Sequence, residues 1–109
     1  MFGFFPSTPS IAPAEAFARL GKPGGLLLDV RTPAEVREQG IEGALNIPLD
    51  EIEDKVGELN AYETIDVICR SGARSAHAVD ILHAHGVPQA RSVSGGLLAW
   101  VAAGLPVAS

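Results

Sequence analysis

The stretch Asp66-Val67-Ile68-Cys69-Arg70-Ser71-Gly72-Ala73-Arg74-Ser75-Ala76-His77-Ala78 decides the reading of this chain. Ile65, Val67 and Ile68 make an apolar β-branched run that ends at Cys69, the single cysteine of the protein. A helix-patterned segment follows from about Ser75. Cys69 is therefore expected at the C-terminal end of a strand, with Gly72 permitting a tight turn and a helix opening beside the thiol. In an open parallel α/β sheet, ligands bind at that edge.

This placement has a chemical consequence. A loop that wraps from a strand into a helix N-terminus points several backbone N–H groups inward and makes an anion nest. The helix dipole adds partial positive charge, and Arg70 and Arg74 add two full charges. A cysteine so placed has a lowered pKa and is substantially thiolate near neutrality, the form that acts as nucleophile. The same nest suits a bound anion or the extra sulfur of a persulfide. A lone cysteine by itself reads as a small buried hydrophobe; the glycine, the two arginines and the following helix turn the reading toward a site. Its expected members are Cys69 as nucleophile and Arg70, Ser71, Gly72, Ala73, Arg74 and Ser75 as the substrate-binding loop. Of the arginines, one would face outward to choose substrates and one would brace the loop, a division the sequence leaves open.

Composition narrows the function classes. A chain of 109 residues, 47% hydrophobic, fits one domain with a sizeable core. The net charge of −5 argues against nucleic acid and against an anionic membrane surface as partners. Six acids and one lysine lie between Glu51 and Asp66, whereas no acid lies between Val67 and Val79 or after Asp80. The cysteine loop is thus a cationic spot on an acidic molecule, suited to a small anionic substrate. One cysteine rules out an internal disulfide and a Cys-x-x-Cys pair and leaves a zinc site short of thiolates. The helical spacing of His77, His83 and His85 does not converge all three with Cys69, so no metal or organic cofactor is expected. The apolar start Met1-Phe2-Gly3-Phe4-Phe5-Pro6 has no basic flank and is cut short by Pro6. It reads as neither signal peptide nor membrane span, and a cytoplasmic location is the expectation.

Residues 1–9 read as a flexible lead-in to a domain over 10–109, and Ile11 as a brief edge strand. Pro13 opens a helix to about Leu20 with Ala14, Phe17, Ala18 and Leu20 as its apolar side. Leu26 to Val30 is a buried parallel-type strand. Thr32, Pro33 and Glu35 form a capping-box pattern for a short helix ending before Gly40. Gly43 to Pro48 contains a short strand, and Asp50 caps a helix to about Leu59 that turns Ile52, Val56 and Leu59 inward. Thr64 to Ile68 is the strand before the loop. The helix from Ser75 to His85 buries Ala78, Val79, Ile81 and Leu82 and leaves through Gly86, with His83 and His85 capping its end. Ala90 to Val93 is the last strand, and Ser94-Gly95-Gly96 leads into a helix carrying Leu97, Leu98 and Trp100, the last a core or pocket-wall residue. Asp29 and Arg31 are read as a structural network at the strand end. Alternating strands and helices mean a parallel α/β sheet covered on both faces.

These segments together resemble a single-domain rhodanese, of the sulfurtransferase family. Leu28-Asp29-Val30-Arg31-Thr32-Pro33-Ala34-Glu35, Gly43-Ala44-Leu45-Asn46-Ile47-Pro48, Cys69-Arg70-Ser71-Gly72-Ala73-Arg74-Ser75 and Gly95-Gly96-Leu97-Leu98-Ala99-Trp100 with Ala103-Gly104-Leu105-Pro106-Val107 resemble the family's boxes, in family order over roughly residues 10–107. The resemblance implies a mainly parallel sheet of about five strands with helices on both faces. It also implies a thiosulfate-like or protein donor that leaves a persulfide on Cys69, which then passes to cyanide, a thiol or a protein acceptor. The chain departs from the family at Gln39-Gly40-Ile41-Glu42-Gly43-Ala44, which lacks the usual histidine and proline and implies a looser turn. Two other classes are weighed. A phosphatase or arsenate reductase loop needs arginine six residues after the cysteine, where this chain has Ser75; Arg74 is one short. A non-catalytic interaction or sulfur-carrier module commonly lacks the cysteine, whereas here Cys69 and its loop are intact.

Overall fold

Parallel strands cannot be joined by tight hairpins, so each strand must be followed by a crossover that covers one face of the sheet. The computed structural model, which describes residues 8–109, follows that rule throughout. Residues 1–7, with the apolar start and most of the expected lead-in, lie outside the described residues. Thr8 donates its hydroxyl to Asp80 at 3.3 Å, and the Pro9 carbonyl accepts from the Ser92 N–H at 2.8 Å.

The strands are β1 (Ser10–Ile11), β2 (Gly25–Asp29), β3 (Leu45–Asn46), β4 (Thr64–Ile68) and β5 (Ala90–Val93). The helices are α1 (Pro13–Arg19), α2 (Pro33–Glu38), α3 (Val56–Leu59), α4 (Ala73–Ala84) and α5 (Gly96–Ala102). Among the described residues the strands form one sheet in the order β1-β5-β4-β2-β3, every pair parallel. The expected α/β architecture of about five strands is therefore present. Because side chains alternate along a strand, β2 and β4 feed two cores. Leu28, Ile65 and Val67 pack with Ile52, Leu59, Ala78, Val79 and Leu82 on the α4 face. Leu27 and Ile68 pack with Ala16, Leu97 and Trp100 on the face covered by α1 and α5. The register Leu28↔Val67 and Asp29↔Ile68 brings the C-terminal ends of the two central strands level, which sets Cys69 beside the Asp29–Arg31 segment.

Several local expectations are corrected. Of the apolar side expected for α1, Leu20 packs half-buried against the core, but Ala14, Phe17 and Ala18 are exposed and Ala16 is the buried residue of the helix. The helix is turned by Arg19, one stripe along from Ala16, whose guanidinium reaches the buried Asp66 carboxylate at 3.0 Å. The helix expected from Asp50 to Leu59 is instead two 3₁₀ turns, Leu49–Glu51 and Glu53–Lys55, running into the single turn of α3. Asp50, Asp54 and Gly57 are poor helix formers within this segment, and burial of Ile52 and Leu59 fixes its path. Asp50 lies inside the first turn and does not cap it. α4 starts at Ala73, not Ser75, with Gly72 as its N-cap at φ 112°. Its exit through Gly86 is a Schellman motif, with Val87 N–H on the Leu82 carbonyl at 2.9 Å and Gly86 N–H on that of His83 at 3.1 Å. That motif satisfies the helix end, so the histidine side chains are free for other work. His83 Nε2 meets the Ala90 carbonyl at 2.9 Å and His85 Nε2 meets Glu53 at 3.1 Å.

Asp66 is the buried carboxylate of the α1 face. Burial pushes its pKa up, the Arg19 charge draws it back and Glu15 adds a smaller push, leaving it at about 6. A group raised in the folded state stabilises fully below its unfolded pKa of 3.8, and that contribution is lost as pH rises through about 6. Relative to Asp66→Asn, the wild type should therefore gain roughly 1–3 kcal/mol in urea unfolding as pH falls from 7 to 4.5. Parallel pH dependence in the two proteins would show that Asp66 titrates normally.

Candidate active site

β4 delivers Cys69 to the top of the sheet, and the chain turns through Arg70, Ser71 and Gly72 directly into α4. The turn needs a positive φ at Gly72, which a side chain would resist. Its reward is proximity, because the Gly72 N–H donates to Cys69 Sγ at 3.0 Å. Ser75, on the first turn of α4, is fully buried and sets its Oγ 3.5 Å from the sulfur. That oxygen also lies 3.1 Å from the Gly72 carbonyl and 2.7 Å from Ser92 Oγ on β5. The thiol donates to Ser75 Oγ, which donates to the Gly72 carbonyl; once the sulfur is ionised, the Ser75 hydroxyl can turn and donate its hydrogen bond to it.

Burial pushes the Cys69 thiol up. The Ser75 hydroxyl and the N–H groups of Ser75, Gly72 and Ser71 together outweigh burial, so the thiol lies below its ordinary value. The sulfur is itself buried, at 1% exposure for the residue. A thiol made more acidic by donors has a larger thiolate fraction, the form that acts as nucleophile.

The two arginines divide their work. Arg74 Nη1 and Nη2 bind Glu35 Oε1 and Oε2 at 2.7 and 2.9 Å, a bidentate pair joining α4 to α2. The Arg74 hydrogen bond, outweighing burial, holds the Glu35 carboxyl down to about 2. Arg70 is exposed, and among the described residues it has no ion-pair partner. Ala73 and Ser71 are exposed at the rim. Glu35 also serves the expected capping box, its side chain receiving the Thr32 N–H at 3.1 Å while Thr32 caps the Glu35 N–H at 3.2 Å.

Beside the loop, Asp29 and Arg31 form the expected structural network. Arg31 Nη2 meets Asp29 Oδ2 at 2.7 Å and the Gln39 carbonyl at 2.8 Å. Asn46 Nδ2 closes on the carbonyls of Asp29 and Arg31 at 2.9 and 3.0 Å. Glu42 faces away, lining a cavity with Phe17, Leu20 and Ile41 on the α1 face. The turn before Gly43 is not loose despite its missing histidine and proline. Ala44 N–H meets the Ile41 carbonyl at 3.1 Å, and Gly40 pairs with Ala108 through two 2.8 Å bonds.

Three contributors were not singled out from the sequence. Ser92 supports Ser75, and its only signal is a serine inside a short strand, next to the apolar Val93. Glu35 grips Arg74, a role hidden behind its capping-box use. Gly96 lets α5 approach the loop: a Cβ there would lie 2.5 Å from the Arg70 carbonyl oxygen and 2.6 Å from that of Cys69. The next two N–H groups, of Leu97 and Leu98, donate to those same carbonyls at 2.8 and 3.1 Å. Among the described residues no group of three or more histidine, cysteine or acidic side chains gathers to hold a metal.

A family model described as Rhodanese-like domain matches residues 12–103. A sulfurtransferase of Allochromatium vinosum is 38% identical over 82 residues, 75% of this chain and 77% of that protein. The thiosulfate sulfurtransferase PspE of Escherichia coli is 30% identical over 70 residues, 62% of this chain and 67% of that one. The crystal structure of a rhodanese-related protein from Thermoplasma volcanium superposes with a TM-score of 0.81 at 34% identity, covering 92% of this chain and 97% of that one.

Ser75→Ala removes one hydrogen bond to an ionised sulfur, so the apparent thiol pKa seen in the pH dependence of alkylation should rise by about one unit. The alkylation rate at pH 7 should fall by about ten-fold; an unmoved pH profile would reduce Ser75 to a packing role. Gly96→Ala meets backbone at a φ of +60°, and should cost about 2–4 kcal/mol in urea unfolding. A cost under about 0.5 kcal/mol, the range of neutral surface changes, would show that α5 does not need this close approach.

Proposed function

The chain belongs to the rhodanese-like family, and from that premise we propose that it moves sulfane sulfur from a thiosulfate-like or persulfide donor to a thiol or cyanide through a persulfide on Cys69. Relatives named as sulfurtransferases at 30% and 38% identity support sulfurtransferase activity in general. The observation that carries the specific reading is the pair of contacts on Cys69 Sγ, with the Gly72 N–H donating to it at 3.0 Å and Ser75 Oγ lying 3.5 Å from it.

The chemistry follows from those donors. The Cys69 thiolate attacks the outer sulfur of thiosulfate; a new S–S bond forms, the old one breaks, and sulfite leaves with the electron pair. The product keeps one negative charge on the terminal sulfur, which the loop N–H groups and the start of α4 stabilise without reorganising. Attack by an acceptor thiolate or cyanide on that terminal sulfur returns the electron pair to Cys69. Arg70, exposed and unpaired among the described residues, is the residue to receive the anionic donor. Arg74, gripped by Glu35, holds the loop in register, and Ser71, Gly72, Ala73 and Ser75 supply the cradle.

The loop size supports sulfur over phosphoryl chemistry. The sixth residue after the cysteine is Ser75, whose side chain is turned in against the sulfur, and the arginine one place earlier is turned out to Glu35. Among the described residues no helix is long and apolar enough to cross a membrane. The reading takes the reducing cytoplasm as the working compartment, since there the lone thiol stays available.

Intact-mass spectrometry of the reduced protein after thiosulfate treatment tests the proposal. The wild type should gain one sulfur atom that cyanide or a thiol removes, and Cys69→Ala should gain none while unfolding normally. Sulfur uptake by Cys69→Ala would overturn the assignment of the nucleophile. A wild type that stays unmodified by any sulfane donor would leave the loop without its proposed activity.

A further inference from the structure

The loop is flanked by a groove whose character is opposite to that of the loop. It has a volume of about 550 Å³ and runs between the 3₁₀ segment and α4, with Arg74 at the end nearest Cys69. Its apolar floor includes Val30, Leu49 and Ile81. Asp50 and Glu53, both exposed, stand on its wall, with Glu51 and Asp54 exposed on the same segment. The cations that border it do not cancel them. Arg74 is neutralised by its bidentate bond to Glu35, His77 is exposed, and His85 Nε2 takes up one oxygen of Glu53 at 3.1 Å. The groove therefore repels the small anion that Arg70 attracts.

A site that must serve two substrates in turn gains from such a division. We propose that the groove docks the sulfur acceptor, and that this acceptor is a cysteine-bearing protein segment with basic residues flanking the thiol. The proposal rests on the persulfide reading above and names the acceptor class for it. An apolar side chain of the segment lies on Val30, Leu49 and Ile81, and its lysines or arginines face Asp50 and Glu53. The acceptor enters as its thiol, and its sulfur attacks the outer sulfur of the anionic Cys69 persulfide. The acceptor–sulfur bond forms as the bond to Cys69 Sγ breaks, the thiol proton passes to the transferred sulfur, and the electron pair leaves on Cys69 as thiolate. No other reactant is required.

The test starts from protein loaded with sulfur by thiosulfate and freed of donor. Single-turnover transfer is followed by mass spectrometry to two cysteine peptides that share an apolar residue, one flanked by lysines and the other by glutamates. At low salt the lysine peptide should be desulfurating the enzyme about ten-fold faster, and the preference should shrink at 0.5 M salt, a concentration of about 4 Å Debye length. In the double variant Asp50→Lys/Glu53→Lys the preference should vanish or reverse, while removal of the sulfur by cyanide is not slowed. Equal rates for the two peptides, or a lysine preference that survives in the double variant, would overturn this acceptor while leaving the persulfide intact. Failure of Cys69 to take up sulfur would overturn the sulfur-transfer reading and the acceptor together.

Discussion

The structure turns on one constraint of the peptide unit. A loop whose N–H groups converge on a sulfur must aim its carbonyls the other way, and buried carbonyls need donors. Here those of Cys69 and Arg70 receive the first free N–H groups of α5, from Leu97 and Leu98. The helix end can come that close because Gly96 presents no Cβ. One helix start thus solves a problem that another helix start creates: α4 and its preceding turn point donors at the sulfur, and α5 restores the hydrogen bonds this arrangement removes. The acidity of the thiol and the placement of α5 are two consequences of the same backbone geometry.

Side chains extend that arrangement to the neighbouring elements. Glu35 links the cap of α2 to Arg74 on α4, and Asp29, Arg31 and Asn46 tie the ends of β2 and β3 to the segment after α2. These contacts are polar and mostly half-buried, and no buried side-chain nitrogen or oxygen among the described residues lacks a partner. A satisfied network of this kind rigidifies its surroundings. It also sorts the charges. Arg74 is paired with Glu35, Arg70 remains exposed, and the acids of the 3₁₀ segment give the adjacent groove the opposite sign.

Much of this was legible in the residue order because the informative signals are local. The run Ile65–Ile68 followed by cysteine and glycine marks a strand entering a turn, and Thr32, Pro33 and Glu35 form a capping box whose parts lie within one helical turn. The weaker readings failed where a local pattern competed with a distant partner. Ala14, Phe17 and Ala18 suggested one inner face for α1, but the bond from Arg19 to Asp66 on β4 chose another. Four acids around Ile52 suggested a solvated α-helix, but low propensity and the burial of Ile52 and Leu59 drew out 3₁₀ turns. His83 and His85 suggested helix caps, but the Gly86 exit had already satisfied the carbonyls.

The sequence by itself determined the alternation of strand and helix and the place of Cys69 at the end of β4, ahead of a glycine turn, since each depends on residues adjacent in the chain. Tertiary structure alone decided which arginine braces and which is exposed, that Ser92 stands behind Ser75, that Gly96 admits α5 to the loop, and that an acidic groove borders the cysteine. Glu35 and Arg74 are 39 residues apart, and Ser75 and Ser92 are 17 apart. No spacing along the chain encodes such pairs; they meet because parallel strands bring successive crossovers to the same end of one sheet.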